Sequence, residues 1–209
     1  GSKLDKEVEQ FLRNIKFPYA IGYGLTETAP LICDAGPKRT HLGTTGTSSF
    51  EVQVRLADVN PENGQGELQV KGPNVMLGYY KDYARTRAVM TDDGWMSTGD
   101  IATVDKKGRY SILGRSGNVI IGASGENIYP EEIESVINKI SDVNESLVIS
   151  RAGQLVALVQ FNEGAVDWNL EGQEKFLENI ERRKKEVMEF VNSKVSHFLK
   201  IKDVEVMKE

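Results

Sequence analysis

Six consecutive residues, Tyr23-Gly24-Leu25-Thr26-Glu27-Thr28, put a hydroxyl and a carboxylate side by side just after a glycine. Oxygen donors in that arrangement suit a phosphate and its Mg2+. Gly22 and Gly24 let the backbone come close to a flat ligand, and Tyr23 between them offers a ring to stack on it. The same residues also spell a strand-to-helix turn with Thr26 as N-cap and Glu27 in the first turn, which taken alone is the commoner arrangement. Further on, Gly94-Trp95-Met96-Ser97-Thr98-Gly99-Asp100 brings an aspartate after a tight glycine at the end of a short strand. Such a carboxylate can accept both hydroxyls of a ribose; an aspartate bonding its own backbone in a turn is at least as common. Arg115, after Gly114, has the reach for a ribose or phosphate oxygen, while an isolated arginine is more often a surface ion-pair partner. His41 and His197 stand alone and far apart in the chain, and neither is assigned chemistry.

The elements that must hold these residues follow from periodicity. Leu4, Val8, Phe11, Leu12 and Ile15 recur at helical spacing, which predicts an amphipathic helix over 4–15. Phe17-Pro18 stops it, because the residue before proline is pushed out of the helical region. Tyr19-Ala20-Ile21 reads as a short buried strand, with Gly22-Tyr23-Gly24 as a tight loop after it. From Gly46 to Gly114 the pattern turns β-rich. Glu51-Val52-Gln53-Val54-Arg55-Leu56 and Glu67-Leu68-Gln69-Val70-Lys71 alternate with period two. Asp105-Lys106-Lys107-Gly108 turns the chain between strands over 101–104 and 110–113. Short strands this closely spaced predict a small antiparallel barrel or sheet. The stretch over 66–80, rich in glycine, reads as structural and is assigned no direct chemistry.

Beyond Gly117 the rhythm changes. Pro130-Glu131-Glu132 opens a helix running to about Lys139, with proline suited to the first turn and acids favoured by the helix dipole. Leu147-Val148-Ile149 and a segment over 156–161 read as strands turned at Gly153. A long charged helix over 171–195 has Phe176, Ile180, Val187, Val191 and Val195 on its inner stripe, with the charge block 181–186 expected on its solvated face. The expected class is α+β, with a boundary near 116–118.

Composition narrows the partners. A net charge of −5 argues against a general nucleic-acid binder, which would show a basic face. It leaves anionic nucleotides open, since a few local donors and a metal can bind those. No apolar run approaches the roughly 18 residues that span a bilayer, so membrane association, if any, is expected to be peripheral. The opening residues carry no apolar signal-peptide core. The single cysteine, Cys33, excludes an intramolecular disulfide and a cysteine-cluster metal site, and fits a reducing compartment such as the cytoplasm.

Taken in order, the segments at 23–28, 66–80, 94–100 and 114–134 resemble the adenylate-forming superfamily: acyl-CoA synthetases, peptide-synthetase adenylation domains and beetle luciferases. Gly125-Glu126-Asn127-Ile128-Tyr129-Pro130-Glu131-Glu132-Ile133-Glu134 is most similar to bacterial long-chain fatty-acyl-CoA ligases. The resemblance implies that residues 1–45 are the tail of the large domain's α/β unit. Residues 46–116 would form its β-rich subdomain, and 117–209 a mobile small domain. It implies that Tyr23 and Gly24 line the adenine pocket and Thr26 holds the α-phosphate region. Glu27 would ligate Mg2+, Asp100 would grip the ribose, and Arg115 would add a ribose or phosphate contact. Gly117 would stand at the pivot where most relatives carry Asp or Lys, Gly125 beside the pantetheine arm of CoA, and Glu134 at a structural motif acid. The implied substrates are ATP, CoA and a fatty acid.

Two expected parts are missing from this sequence. Gly43-Thr44-Thr45-Gly46 mimics the family's phosphate loop but lacks its lysine and follows the 23–28 motif instead of preceding it, so it reads as a loop leading into the β-rich part. The adenylation lysine is also absent, since neither Lys202 nor Lys208 stands in its motif context. The chain alone is therefore expected to be inactive. A peptide-synthetase adenylation domain, a luciferase-like oxygenase or a degenerate nucleotide-binding homologue are the competing identities.

Overall fold

Asp5 starts the first helix by accepting hydrogen bonds from the Glu7 and Val8 amides, which would otherwise lack partners. The computed structural model describes residues 4–165 and 173–207 and divides into two units, with the division between Gly117 and Asn118. The class is α+β.

In the first unit, α1 (Lys6–Asn14) precedes β1 (Ile21–Gly24), a single 3₁₀ turn (Thr26–Thr28), β2 (Leu31–Ala35) and β3 (Thr47–Ser48). β1, β2 and β3 form an antiparallel sheet in that order. The short strand thus lies later than expected: Gly22, Tyr23 and Gly24 are strand, because they pair with Asp34, Cys33 and Leu31. α1 is the expected helix, but its apolar face is left open. It buries Glu9, 1% exposed, and leaves Val8, Phe11 and Ile15 largely in solvent.

The larger sheet joins β4 (Gln53–Ala57), β5 (Gly66–Lys71), β6 (Met96–Val104) and β7 (Tyr110–Arg115), all antiparallel and in sequence order. α2 (Tyr83–Val89) lies between β5 and β6 in the chain. Among the described residues no pairing joins β4 to β7, so the sheet is open and the expected barrel does not close. Instead, Thr45 N–H donates to the Tyr110 carbonyl and Tyr110 N–H to that of Gly46, laying the 43–46 loop on the edge of β7. Asp105 shapes the β6–β7 turn by accepting from the Lys107 and Arg109 amides, which with the Arg109 side chain pulls its carboxyl down to about 2. The core is Ile32, Cys33, Leu68, Val70, Met96 and Ala102, each large member worth about 1.5–3 kcal/mol on burial.

The second unit carries the hairpin β8 (Ile120–Ile121) and β9 (Asn127–Ile128), then α3 (Pro130–Ile137), β10 (Val143–Arg151), β11 (Gln154–Phe161), α4 (Gln173–Lys194) and β12 (Asp203–Met207). β11 pairs antiparallel with β10 and parallel with β12. α3 and α4 bury Ile133, Ile137, Val187 and Val191 with this sheet. The expected start of α4 at 171 lies outside the described residues, as does Lys208. The charge block is not all solvated: Arg183 donates to Asp142 at 2.9 Å, and Lys184 lies 3.4 Å from Asp203. Cations four and three positions before Val187 share its side of the helix, so their heads turn to acids at the rim of the core.

Candidate functional site

Gly99 adopts φ 72°, and the ladders of β6 with both neighbours shift register close to it. The irregularity sets Asp100 opposite Arg115 on β7. Thr98 braces the bend: its hydroxyl donates to the Leu68 carbonyl at 2.8 Å and accepts from the Asp100 amide at 3.1 Å. Asp100 is 5% exposed. Tyr23, on β1, donates its phenol proton to Asp100 Oδ2. Arg115 Nε lies 3.2 Å from Asp100 Oδ1, and its Nη1 donates to the Thr98 carbonyl at 3.0 Å. Burial, first, and then the hydrogen bond to Asp100 push the Tyr23 phenol well above its usual range, so it stays a proton donor. Three residues far apart in sequence therefore meet at one carboxylate. The Arg115 side chain is half exposed while that of Asp100 is nearly withdrawn, so only the arginine end of the pair reaches solvent.

Thr26 and Glu27 follow β1 after Leu25, on the 3₁₀ turn. Leu25 occupies the cap position, and the capping hydroxyl belongs to Thr28, which accepts from the Leu25 amide at 3.0 Å and lies 2.8 Å from the Pro30 carbonyl. Thr26 is thus not the N-cap; its side chain is exposed. Gly24 is required at the strand end, because a Cβ there would stand 1.6 Å from the Pro30 carbonyl oxygen.

Glu27 is held by a segment whose sequence pattern carries no chemical signal. Met76 N–H donates to its carbonyl at 2.8 Å, and Tyr79 donates its phenol proton to Oε1 at 3.0 Å. Arg85 stacks on the Tyr79 ring at 4.1 Å. Asn74 Nδ2 donates to the Thr28 and Leu31 carbonyls, both at 2.8 Å. Desolvation, and next the hydrogen bond to Glu27, raise the Tyr79 phenol above its ordinary value. No local pattern signals these contacts, since Tyr79 and Glu27 are separated by 52 residues.

The remaining candidates stand on other elements. Gly117 sits in a 3₁₀ turn (Ser116–Asn118) at the end of the first unit, where an added Cβ would meet nothing within 4 Å. Gly125 belongs to the second unit, in the β8–β9 turn, with φ 85°. Glu134, on α3, accepts from the Val148 amide at 2.8 Å, a structural contact.

Among the described residues no group of three or more His, Cys, Asp or Glu could hold a metal. Glu27 with the neighbouring Thr26 hydroxyl is an all-oxygen donor set. That fits Mg2+, which takes one or two protein carboxylates and fills its shell with water and phosphate. No helix among the described residues is long and apolar enough to cross a membrane.

Residues 1–80 match the family of AMP-binding enzymes. Long-chain-fatty-acid–CoA ligase 1 of Saccharomyces cerevisiae is 37% identical over 141 residues, 65% of this chain and 20% of the relative. Feruloyl-CoA synthase of Amycolatopsis is 40% identical over 134 residues, 61% of this chain and 27% of the relative. Among solved structures, o-succinylbenzoate coenzyme A synthetase from Bacillus subtilis in complex with AMP is similar with a TM-score of 0.77 and 25% identity, over 99% of this chain and 41% of that one. The chain spans 20% to 41% of the lengths of these relatives.

Proposed function

This chain belongs to the AMP-binding enzyme family, and from that premise we propose that it carries nucleotide-binding parts of an AMP-forming carboxylate–CoA ligase. The observation that carries the proposal is the meeting of Tyr23 and Arg115 on the Asp100 carboxylate. A carboxylate oriented by a phenol and a guanidinium is preorganised to accept the two ribose hydroxyls of AMP. In this reading Arg115 reaches a ribose or phosphate oxygen, Tyr23 and Gly24 line the adenine pocket, and the Thr26 hydroxyl donates to the α-phosphate region. Glu27 would hold Mg2+, whose charge, when bound, offsets that gathering on the phosphates.

The reaction has two steps. An oxygen of the carboxylate substrate attacks the α-phosphorus of ATP, and the bond to diphosphate breaks, giving acyl-AMP. The CoA sulfur then attacks the acyl carbon and AMP leaves, the thiol proton going to solvent. Gly117 as the pivot between the steps and Gly125 beside the CoA arm complete the proposal. For the carboxylate we take a long-chain fatty acid, on the similarity to the yeast ligase. The feruloyl-CoA synthase matches at a comparable level, so turnover of palmitate against ferulate by a longer form of the protein decides that point. The setting we propose is the cytoplasm.

The test is equilibrium binding of AMP to this chain and to its Asp100→Ala variant. A loss of about 10-fold or more is expected, the scale of charge-assisted hydrogen bonds; unchanged affinity overturns the ribose assignment. This chain alone is expected not to catalyse ATP–diphosphate exchange with palmitate, and robust exchange would show that it needs neither the phosphate loop nor the lysine.

A further inference from the structure

We infer that Tyr79 is a positioning residue for Glu27, fixing one carboxylate oxygen so that the side chain keeps one orientation toward a bound divalent cation. The inference rests on the proposed role of Glu27 and extends it to a residue outside the 23–28 motif.

Tyr79 is itself fixed at three points. Its amide donates to the Thr86 hydroxyl at 2.9 Å, the Arg85 guanidinium covers its ring at 4.1 Å, and its phenol reaches Glu27 Oε1 at 3.0 Å. Thr86 and Arg85 both belong to α2, which Asp82 caps through the Arg85 amide. Gly78 permits the approach: its φ is 147°, and a Cβ there would stand 2.8 Å from Thr86 Cγ2. The same segment grips the backbone of the Glu27 turn through Met76 and Asn74. Both the backbone and the side chain of Glu27 are thus tied to 74–79.

A glutamate on a one-turn element has rotamer freedom that a cation would have to quench on binding. A phenol holding Oε1 removes part of that freedom beforehand, which is the service that hydrogen-bond partners of metal ligands generally perform. A purely structural staple between 74–79 and the turn would show the same distances. The two differ in whether loss of the phenol acts through the cation.

ATP is titrated calorimetrically into this 209-residue chain with Mg2+ present and again with EDTA; the ratio of the two affinities is the metal contribution. Tyr79→Phe keeps the ring under Arg85 and removes only the hydroxyl. It is expected to lower the metal contribution about 10-fold, the range for lost partners of metal ligands, while affinity in EDTA is retained. Glu27→Gln is expected to do the same, and the double variant to add nothing. Equal losses with and without Mg2+, or no loss in either, overturn the inference. If Glu27→Gln loses the metal contribution and Tyr79→Phe keeps it, only the role of Tyr79 falls. If Glu27→Gln keeps it, or the unaltered chain shows none, the assignment of the cation to Glu27 falls and this inference with it.

Discussion

Asp100 and Arg115 face each other across the β6–β7 ladder, with Arg115 Nε 3.2 Å from Asp100 Oδ1. The pair is lopsided: the carboxylate is nearly withdrawn from water and the guanidinium is half in it. An exposed partner contributes little to folding, commonly about 0–1 kcal/mol. Its value lies in aiming donors, which a lysine cannot reproduce. Arg115→Lys is therefore expected to change unfolding free energy by less than about 1 kcal/mol while weakening AMP binding several-fold. Urea denaturation beside AMP titration checks this. A large loss of stability with AMP affinity intact would make the pair structural.

Two glycines, both given functional roles from sequence, separate sharply in the structure. At Gly24 a Cβ would stand 1.6 Å from the Pro30 carbonyl oxygen, a collision with backbone that no rotamer relieves. At Gly117 it would meet nothing, in a 3₁₀ turn whose φ is not positive. Gly24→Ala should destabilise the first unit by several kcal/mol, the scale of forced backbone displacement in a packed site. Gly117→Ala should be neutral or stabilising by up to about 1 kcal/mol, through the unfolded chain. Thermal unfolding of the two variants side by side tests the contrast.

The contrast also shows what was legible in the sequence. The turns declared themselves, because Asp105 and Gly153 act on their immediate neighbours. The inner stripe of α4 declared itself too, since helical spacing is local. Strand extents did not: β6 begins at Met96, well before 101, because its first half is fixed by β5, whose pairing partners Gln69 and Val70 lie 26 or more residues upstream. α1 stands where its apolar spacing places it, but that spacing says which residues share a face and not whether anything covers it. Tyr79 was missed because its partner is set by tertiary folding alone. The motifs pointed to Tyr23, Asp100 and Arg115 but not to their hydrogen bonds.

Cys33 supplies a pH test independent of any ligand. The thiol is 0% exposed; burial, and next the charge of Asp34, push it up from 9.0 to about 12. Below 9 both folded and unfolded thiols are protonated and the preference for folding is complete. Between 9 and 12 the unfolded thiol ionises while the folded one does not, so the native state binds more protons and stability is lost as pH rises. The phenols titrate in the same range, so the measurement is the difference between the chain and its Cys33→Ala variant. The stability advantage of cysteine should shrink steadily over that interval, and a constant difference would show the thiol to be solvated.

Glu9 is the residue whose place in the fold departs furthest from its sequence context, a carboxylate at 1% exposure on a helix with bare apolar residues beside it. Its two oxygens have separate tasks. Oε1 accepts from the Tyr19 phenol at 2.7 Å, and Oε2 from the Gly43 amide at 2.9 Å, so it ties α1 to the chain on both sides of β1 and β2. Glu9→Ala leaves two donors without their acceptor, each costing about 1–3 kcal/mol when buried. Glu9→Gln behaves differently, because the partners are not alike. The Gly43 amide can only donate, so it must keep the carboxamide oxygen of the variant side chain. The Tyr19 hydroxyl can also accept, so it can turn and take a hydrogen bond from the carboxamide nitrogen. Glu9→Gln should therefore be close to neutral in a wild-type background. In Tyr19→Phe it should remain so, whereas Glu9→Ala should cost less there, since one of its two orphaned donors is already gone. Equilibrium unfolding of both Glu9 variants in the two backgrounds, with hydrogen exchange at the Gly43 amide as the local readout, decides it. Equal losses for Glu9→Gln and Glu9→Ala would mean that the negative charge, and not the pair of hydrogen bonds, holds this corner of the fold.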